Sequence, residues 1–279
     1  MMANIRIYAF SDEASPYIDK QIDALLRNSL VGMEIRNVDG VNISDITKEK
    51  AKEVKAQLDA HSLCVWSIGS PIGKITLQDD FEKHMEKFKH TLEIAKILNA
   101  QSIRLFSFFM PKTSDPNVYK EQVFTRLGQF VEAAKDYDIT LCHENEKGIY
   151  GDVPERCLEI HKQFPEIKSV FDPANFVQSQ VDTLKAWALL KDYVHYIHIK
   201  DALEDGLVVP PGKGIGNVQR IAKDFIASGG KEFTIEPHLK VFDGFERLEQ
   251  GEAFKAHYEF ANNDIAFDTA CQSFKELLK

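Results

Sequence analysis

Basic residues are scarce: 34 Lys and Arg stand against 43 Asp and Glu, for a net charge of −9. A duplex-binding protein draws much of its affinity from phosphate contacts, so this balance argues against a nucleic-acid partner. Long apolar runs are missing too, so no transmembrane helix, and no membrane partner, is expected. The opening MMANIRIYAFSDEAS lacks the basic region, apolar stretch and small-residue cleavage site of a secretory leader. A cytoplasmic location is expected. Cysteine is sparse: Cys64, Cys142, Cys157 and Cys271 lie far apart and form no CxxC pair. That spacing excludes the usual zinc ribbon and redox dithiol and predicts reduced, buried thiols. No stretch rich in Pro, Gly or Ser divides the 279 residues, and no short repeat occurs, so one domain over residues 1–279 is expected.

What the chain does contain is alternation. Short apolar runs at 5–10, 32–37, 63–70, 102–109, 139–146, 167–175, 194–202 and 232–238 read as strands. Segments of helical period separate them. The first of these carries Ile18, Ile22, Leu25 and Leu26 on one face, and the others lie near 48–61, 79–98, 118–137, 153–164, 181–190, 217–228 and 264–278. Eight strand–helix units in strict order predict the α/β class and a single (β/α)8 TIM barrel. A doubly wound open sheet usually has fewer strands. Two loops are long, at 201–216 and 239–263. Both follow strands at the end where barrel active sites lie, so they are candidate lids or subunit contacts. Phe242 and Phe245, within 239–263, are expected to be exposed, which suits a lid or a homo-oligomer contact.

The informative residues fall at the ends of the last four strands. These end in HENE, FDPAN, HIK and TIEPH, and deliver Glu144, Asp172, His198 and Glu236. Neighbouring strands lie about 4.8 Å apart, so four such side chains at one level can converge. Alternation supports this: Tyr196, His198 and Lys200 share one face of their strand, while Ile197 and Ile199 share the other. Three carboxylates and one imidazole suit one divalent ion, Mn2+, Mg2+, Co2+ or a catalytic Zn2+. An acidic cluster without a cation would repel itself. Glu146 shares the parity of Glu144 and is an alternative ligand; His238 is a further ligand candidate or a cap of the last loop. His143 and His195 fall on the outward parity, and His61, His84, His90, His161 and His257 lie in helical stretches expected to face solvent. The segment PPGKGIG resembles a phosphate-cradling loop ahead of a helix, without the spacing of a full nucleotide motif.

With these residues in place, the chain resembles the xylose isomerase-like barrel superfamily, in its sugar and sugar phosphate isomerase/epimerase branch. The resemblance spans essentially the whole chain and rests on an ordered group: HEN with Glu144, FDPANF with Asp172, HIKDA with His198, GKGIGNV, and IEPHL with Glu236. It implies a metal centre, commonly Mn2+, on Glu144, Asp172, His198 and Glu236, with Glu144 and Glu236 as acid/base groups on opposite faces of a small carbohydrate. Many ketose 3-epimerases carry His three residues after the strand-six Asp, where this chain has Asn175. They also carry Arg after the strand-seven His, where the nearest basic residue here is Lys200. Asn175, Lys200, His238, Trp66 and Arg36 are therefore the substrate-contact candidates, with Asp12, Glu13, Glu34, Ser70 and Asn145 at other strand ends. A metal-dependent lyase or dehydratase on a keto-inositol or 3-keto-glycoside would need the same first proton transfer. An apurinic-site endonuclease shares the barrel, but strands two to four end in EIRN, WSIGS and RLFSFF and supply no extra histidines.

Overall fold

The computed structural model describes residues 5–112, 115–243, 255 and 257–279. Eight parallel strands close into a barrel: β1 (Arg6–Ala9), β2 (Gly32–Ile35), β3 (Cys64–Ile68), β4 (Ser102–Leu105), β5 (Thr140–Glu144), β6 (Ile167–Phe171), β7 (Val194–Ile199) and β8 (Glu232–Ile235). Each pairs with its sequence neighbours, and β8 closes on β1. The helices are α1 (Ile18–Arg27), α2 (Lys48–Ala60), α3 (Phe81–Leu98), α4 (Lys120–Ala134), α5 (Pro154–Gln163), α6 (Pro173–Gln178), α7 (Thr183–Leu190), α8 (Val218–Ala227) and α9 (Asn263–Leu277). The (β/α)8 barrel expected from the alternation is the fold.

Side-chain parity sorts the core into two zones. Ile103, Leu141, Phe171, Ile197 and Phe233 point outward and pack with the buried faces of the helices. Tyr8, Trp66, Cys142, Val170 and Tyr196 form a separate cluster inside the barrel. In β3 the register slips: Met33 pairs with Val65 but Glu34 pairs with Ser67. Trp66 is the extra residue of this bulge, so Trp66 and Ser67 can both reach the interior. The Ser67 hydroxyl lies 3.2 Å from the Tyr196 hydroxyl.

Helix starts follow from capping residues. Thr47, Asp80, Asp182 and Asn262 each accept a hydrogen bond from a backbone N–H one to three residues into the helix they begin. The expected sixth strand is shorter than its apolar run. It stops at Phe171, because Asp172 caps α6 and Pro173 takes its first position. Several surface expectations are corrected. His84 and His161 are buried, with Nε2 of His84 accepting the Gly73 N–H and Nδ1 of His161 3.0 Å from the Ile167 carbonyl. Of the thiols expected to be buried, Cys64 is exposed; all four are free. Leu26 is exposed rather than part of the buried face of α1. Phe242 is buried, and Phe245 lies outside the described residues. No described helix is long and apolar enough to cross a membrane.

Candidate metal centre

Strand order alone brings the four candidates to one place. Glu144 ends β5, Asp172 follows β6, His198 lies in β7 and Glu236 follows β8. Ligand atoms of Glu144, Asp172, His198 and Glu236 all lie within 4.8 Å of one another, and all four residues are buried. His198 Nδ1 is 3.0 Å from Glu144 Oε1, 3.5 Å from Glu236 Oε2 and 3.9 Å from Asp172 Oδ2. Its other nitrogen, Nε2, is 3.0 Å from Glu34 Oε2. The ring thus presents one nitrogen to the cluster and the other to a carboxylate behind it.

Three permanent cations enter the same volume. Lys200 Nζ lies 3.0 Å from Asp172 Oδ2 and 2.9 Å from Glu236 Oε2. Arg104 Nη1 lies 3.1 Å from Glu144 Oε2 and 3.9 Å from Glu236 Oε1. Arg36 grips Asp12 with two hydrogen bonds of 2.9 and 3.1 Å, donates to Glu13 at 3.1 Å and reaches Glu236 Oε1 at 3.2 Å. The Phe10 and Phe242 rings lie 4.5 and 4.7 Å from its guanidinium carbon, so Arg36 is held on every side. His238 Nε2 lies 3.4 Å from Arg36 Nη1, 3.4 Å from Glu13 and 3.5 Å from Glu236. Glu13, Glu236 and His238 also bring ligand atoms together, but the Arg36 guanidinium already supplies the cation there.

Buried charge moves the ionisation of these groups. Burial pushes the Asp172 carboxyl up to about 7, against the pull of Lys200. It pushes Glu13 up to about 8 despite Arg36. Burial would also raise Glu236 and Glu144, but Lys200, His238 and His198 hold Glu236 well below the carboxylate range, and His198 and Arg104 lower Glu144. Burial disfavours charge on His198, yet Glu144 and Glu34 outweigh it and raise the imidazole. Among the described buried residues of this mouth, Asp12, Glu13, Glu34, Glu144, Asp172 and Glu236 outnumber Arg36, Arg104 and Lys200. The upward shifts of Asp172, Glu13 and His198 favour protons where a dication would otherwise supply the charge. Glu144 Oε2 and Asp172 Oδ2 accept no well-aligned hydrogen bond and face the charges of Arg104 and Lys200, at 3.1 and 3.0 Å. A metal ion would take both as ligands.

The remaining candidates divide. Asn175 sits in α6 and donates from Nδ2 to Glu144 Oε1 at 3.2 Å, while its backbone N–H caps onto Asp172. Lys200, His238 and Arg36 join the cluster as described. Trp66 does not. It stacks between Tyr8 and His195, with centroids 5.4 Å from each, at the opposite mouth of the barrel. There it lines a cavity of about 730 Å3 with Arg6, Val194 and Glu232 from strand beginnings. Glu146 pairs with Lys74 at 2.9 Å, outside the four-residue group. Arg104 escapes a reading of the sequence because a single basic residue in SIRLFSFF carries no motif; its inward parity beside Ser102 is the only signal. The PPGKGIG turn does not offer its amides to a ligand. The N–H groups of Ala202, Gly212, Gly214 and Gly216 all donate to the Asp201 carboxylate at 2.9–3.0 Å. A Cβ on Gly214 would lie 2.3 Å from the Ala202 carbonyl oxygen, so the wrap requires glycine there.

A closed eight-stranded barrel with a carboxylate-rich centre at the C-terminal ends of its strands defines the class. The chain belongs to the xylose isomerase-like TIM barrel family, whose model matches residues 28–256. Curated protein sequences return no match. Among solved structures it is similar to a probable 3-DHS dehydratase from Bacillus anthracis (16% identity, 97% of this chain and 98% of that one, TM-score 0.74). It is also similar to a D-tagatose 3-epimerase-like protein (15%, 98% and 97%, 0.73). A third, the IOLI protein, whose structure holds a zinc atom, matches at 13%, over 98% of each chain, with a TM-score of 0.73. At such identities the likeness is one of fold.

Proposed function

We propose that this protein is a divalent-metal-dependent isomerase or epimerase of a small sugar or sugar phosphate. The observation that carries the reading is the convergence of Glu144, Asp172, His198 and Glu236 within 4.8 Å. Those four residues would hold the ion, which by donor type is Mn2+, with Mg2+, Co2+ and Zn2+ as alternatives. When bound, such an ion supplies Lewis-acid stabilisation for negative charge developing on substrate oxygens.

The chain's own residues do the rest. Glu144 and Glu236 descend from non-adjacent strands, so they approach the centre from different directions. One takes the proton from the carbon beside a carbonyl and the other returns one. Return to the opposite face of the same carbon inverts it; return to the neighbouring carbon interconverts aldose and ketose. His198 and Arg104 beside Glu144, and Lys200 beside Glu236, favour the ionised carboxylates and so the role of base. Asn175 fixes the rotamer of Glu144. Lys200, Asn175, His238 and Arg36 surround the place where substrate oxygens would sit. A homo-oligomer is compatible with this reading and is tested by light scattering.

One observation favours a lyase as the alternative reading. The Lys200 ammonium lies 2.9 Å from Glu236 and is a proton donor for a departing hydroxyl. A product of equal mass supports the isomerase; loss of water supports the lyase. The deciding experiment is metal analysis of the purified protein beside its Asp172→Asn, His198→Asn double variant. About one ion per chain, absent from the variant, supports the centre; no ion in either after incubation with each metal rejects it.

A further inference from the structure

The geometry points to Glu34 as the positioning residue that makes His198 a one-sided ligand, holding Nε2 so that Nδ1 faces the carboxylate cluster. This inference rests on the metal reading above and deepens it. Glu34 lies on β2, across the barrel from β7, and is fully buried. A buried carboxylate in a barrel interior costs free energy unless both oxygens are satisfied, and both are. Oε2 faces His198 Nε2 at 3.0 Å, and Oε1 accepts the Tyr196 hydroxyl at 2.9 Å. The Tyr196 oxygen is itself 3.2 Å from Ser67 Oγ, where the β3 bulge turns that serine inward. Ser67, Tyr196, Glu34 and His198 thus form one connected line through the barrel.

Glu34 is therefore not placed as a substrate contact. Its partners are a ring nitrogen and a phenol, both part of the protein. A neutral imidazole has one N–H and one lone pair, and a carboxylate can only accept. With Glu34 ionised and an ion bound, the N–H would sit on Nε2 and the lone pair on Nδ1, the nitrogen that lies 3.0–3.9 Å from the oxygens of Glu144, Glu236 and Asp172. The same contact blocks rotation of the ring. A carboxylate behind a ligating imidazole also raises its basicity, and loss of such a partner typically weakens metal binding by roughly 10- to 100-fold.

The test is titration of the purified, metal-stripped protein with Co2+, read by calorimetry and by the visible absorption of the bound ion. Glu34→Gln keeps an acceptor but loses the charge, and about 10-fold weaker binding is expected. Glu34→Leu loses both, and about 100-fold weaker binding with a changed cobalt spectrum is expected. Tyr196→Phe, which removes only the far support, is expected to weaken binding a few-fold. Thermal melts of the metal-free forms identify any variant that has not folded, and Glu34→Gln, nearly isosteric, carries the decision if Glu34→Leu does not fold. Wild-type affinity and spectrum in Glu34→Gln and Tyr196→Phe overturn the role of Glu34 while leaving the metal centre standing. Wild-type protein that binds no cobalt overturns the centre itself, and the inference with it.

Discussion

The two mouths of this barrel are built from the same strands and share almost nothing. At the N-terminal end the inward positions carry Tyr8, Trp66, Cys142, Val170 and Tyr196, a mostly apolar plug. Two residues further along the same faces, β5, β6 and β7 carry Glu144, Asp172 and His198. Cys142 and Glu144 are neighbours on one face of one strand, yet one is a buried thiol and the other part of a charge cluster. The pleat decides which side chains enter the barrel, but position along the strand decides whether they join the plug or the charge cluster.

Four perturbations sharpen or break that contrast. The largest effect belongs to the C-terminal mouth: Glu144→Gln or Glu236→Gln is expected to lower turnover of a converted substrate by about 10^2- to 10^4-fold. Turnover at wild-type rates in either variant, measured by steady-state kinetics, would break the proposed chemistry. At the other mouth, Trp66→Ala is expected to cost about 3–5 kcal/mol in denaturant unfolding while leaving metal stoichiometry unchanged. A lost ion with intact stability would show that the plug belongs to the site after all.

Smaller effects come from outside the barrel interior. Asp201→Ala leaves the amides of Ala202, Gly212, Gly214 and Gly216 without their acceptor. A loss of about 2 kcal/mol is expected, since water can reach some of them. The smallest effect is pH-dependent. Burial lowers the His84 imidazole from 6.5 to about 4, so the folded state favours its neutral form. Its contribution is full above pH 6.5 and is lost as pH falls toward 4, because the unfolded chain takes up the proton first. The stability gap between wild type and His84→Gln is expected to shrink by about 1–2 kcal/mol between about pH 7 and about pH 5. A gap independent of pH would mean that His84 takes up its proton as readily in the fold as in the unfolded chain.

Most of this architecture is legible in the chain. Eight apolar runs separated by helical periods are a strong signal because each unit repeats the same alternation, and the four ligand candidates stand at equivalent strand ends. The failures have local causes. The 167–175 run reads as strand through Asn175, although Asp172 followed by Pro173 is a helix start that arrests the extended chain. Trp66 reads as a substrate contact because its strand run ends in WSIGS, and a run alone does not show how far a residue stands from the C-terminal mouth of the barrel. Its bulge depends on pairing with β2, a non-local fact. His84 and His161 resemble surface residues because a helical period does not reveal which neighbours cover a polar position. Arg104 carries no motif, and its worth depends on Glu144, which stands on the next strand.

The Asp201 wrap has a kinetic consequence. A loop of this length would ordinarily exchange its amide hydrogens with deuterated water in seconds, as flexible segments do. Here the amides of Gly212, Gly214 and Gly216 share one carboxylate. They are released only when that oxygen pair lets go of the turn as a unit. Protection of these three glycines should rise and fall together, and it should report on the segment immediately after Lys200. The turn would thereby serve as an isotopic clock for local opening of the 201–216 segment.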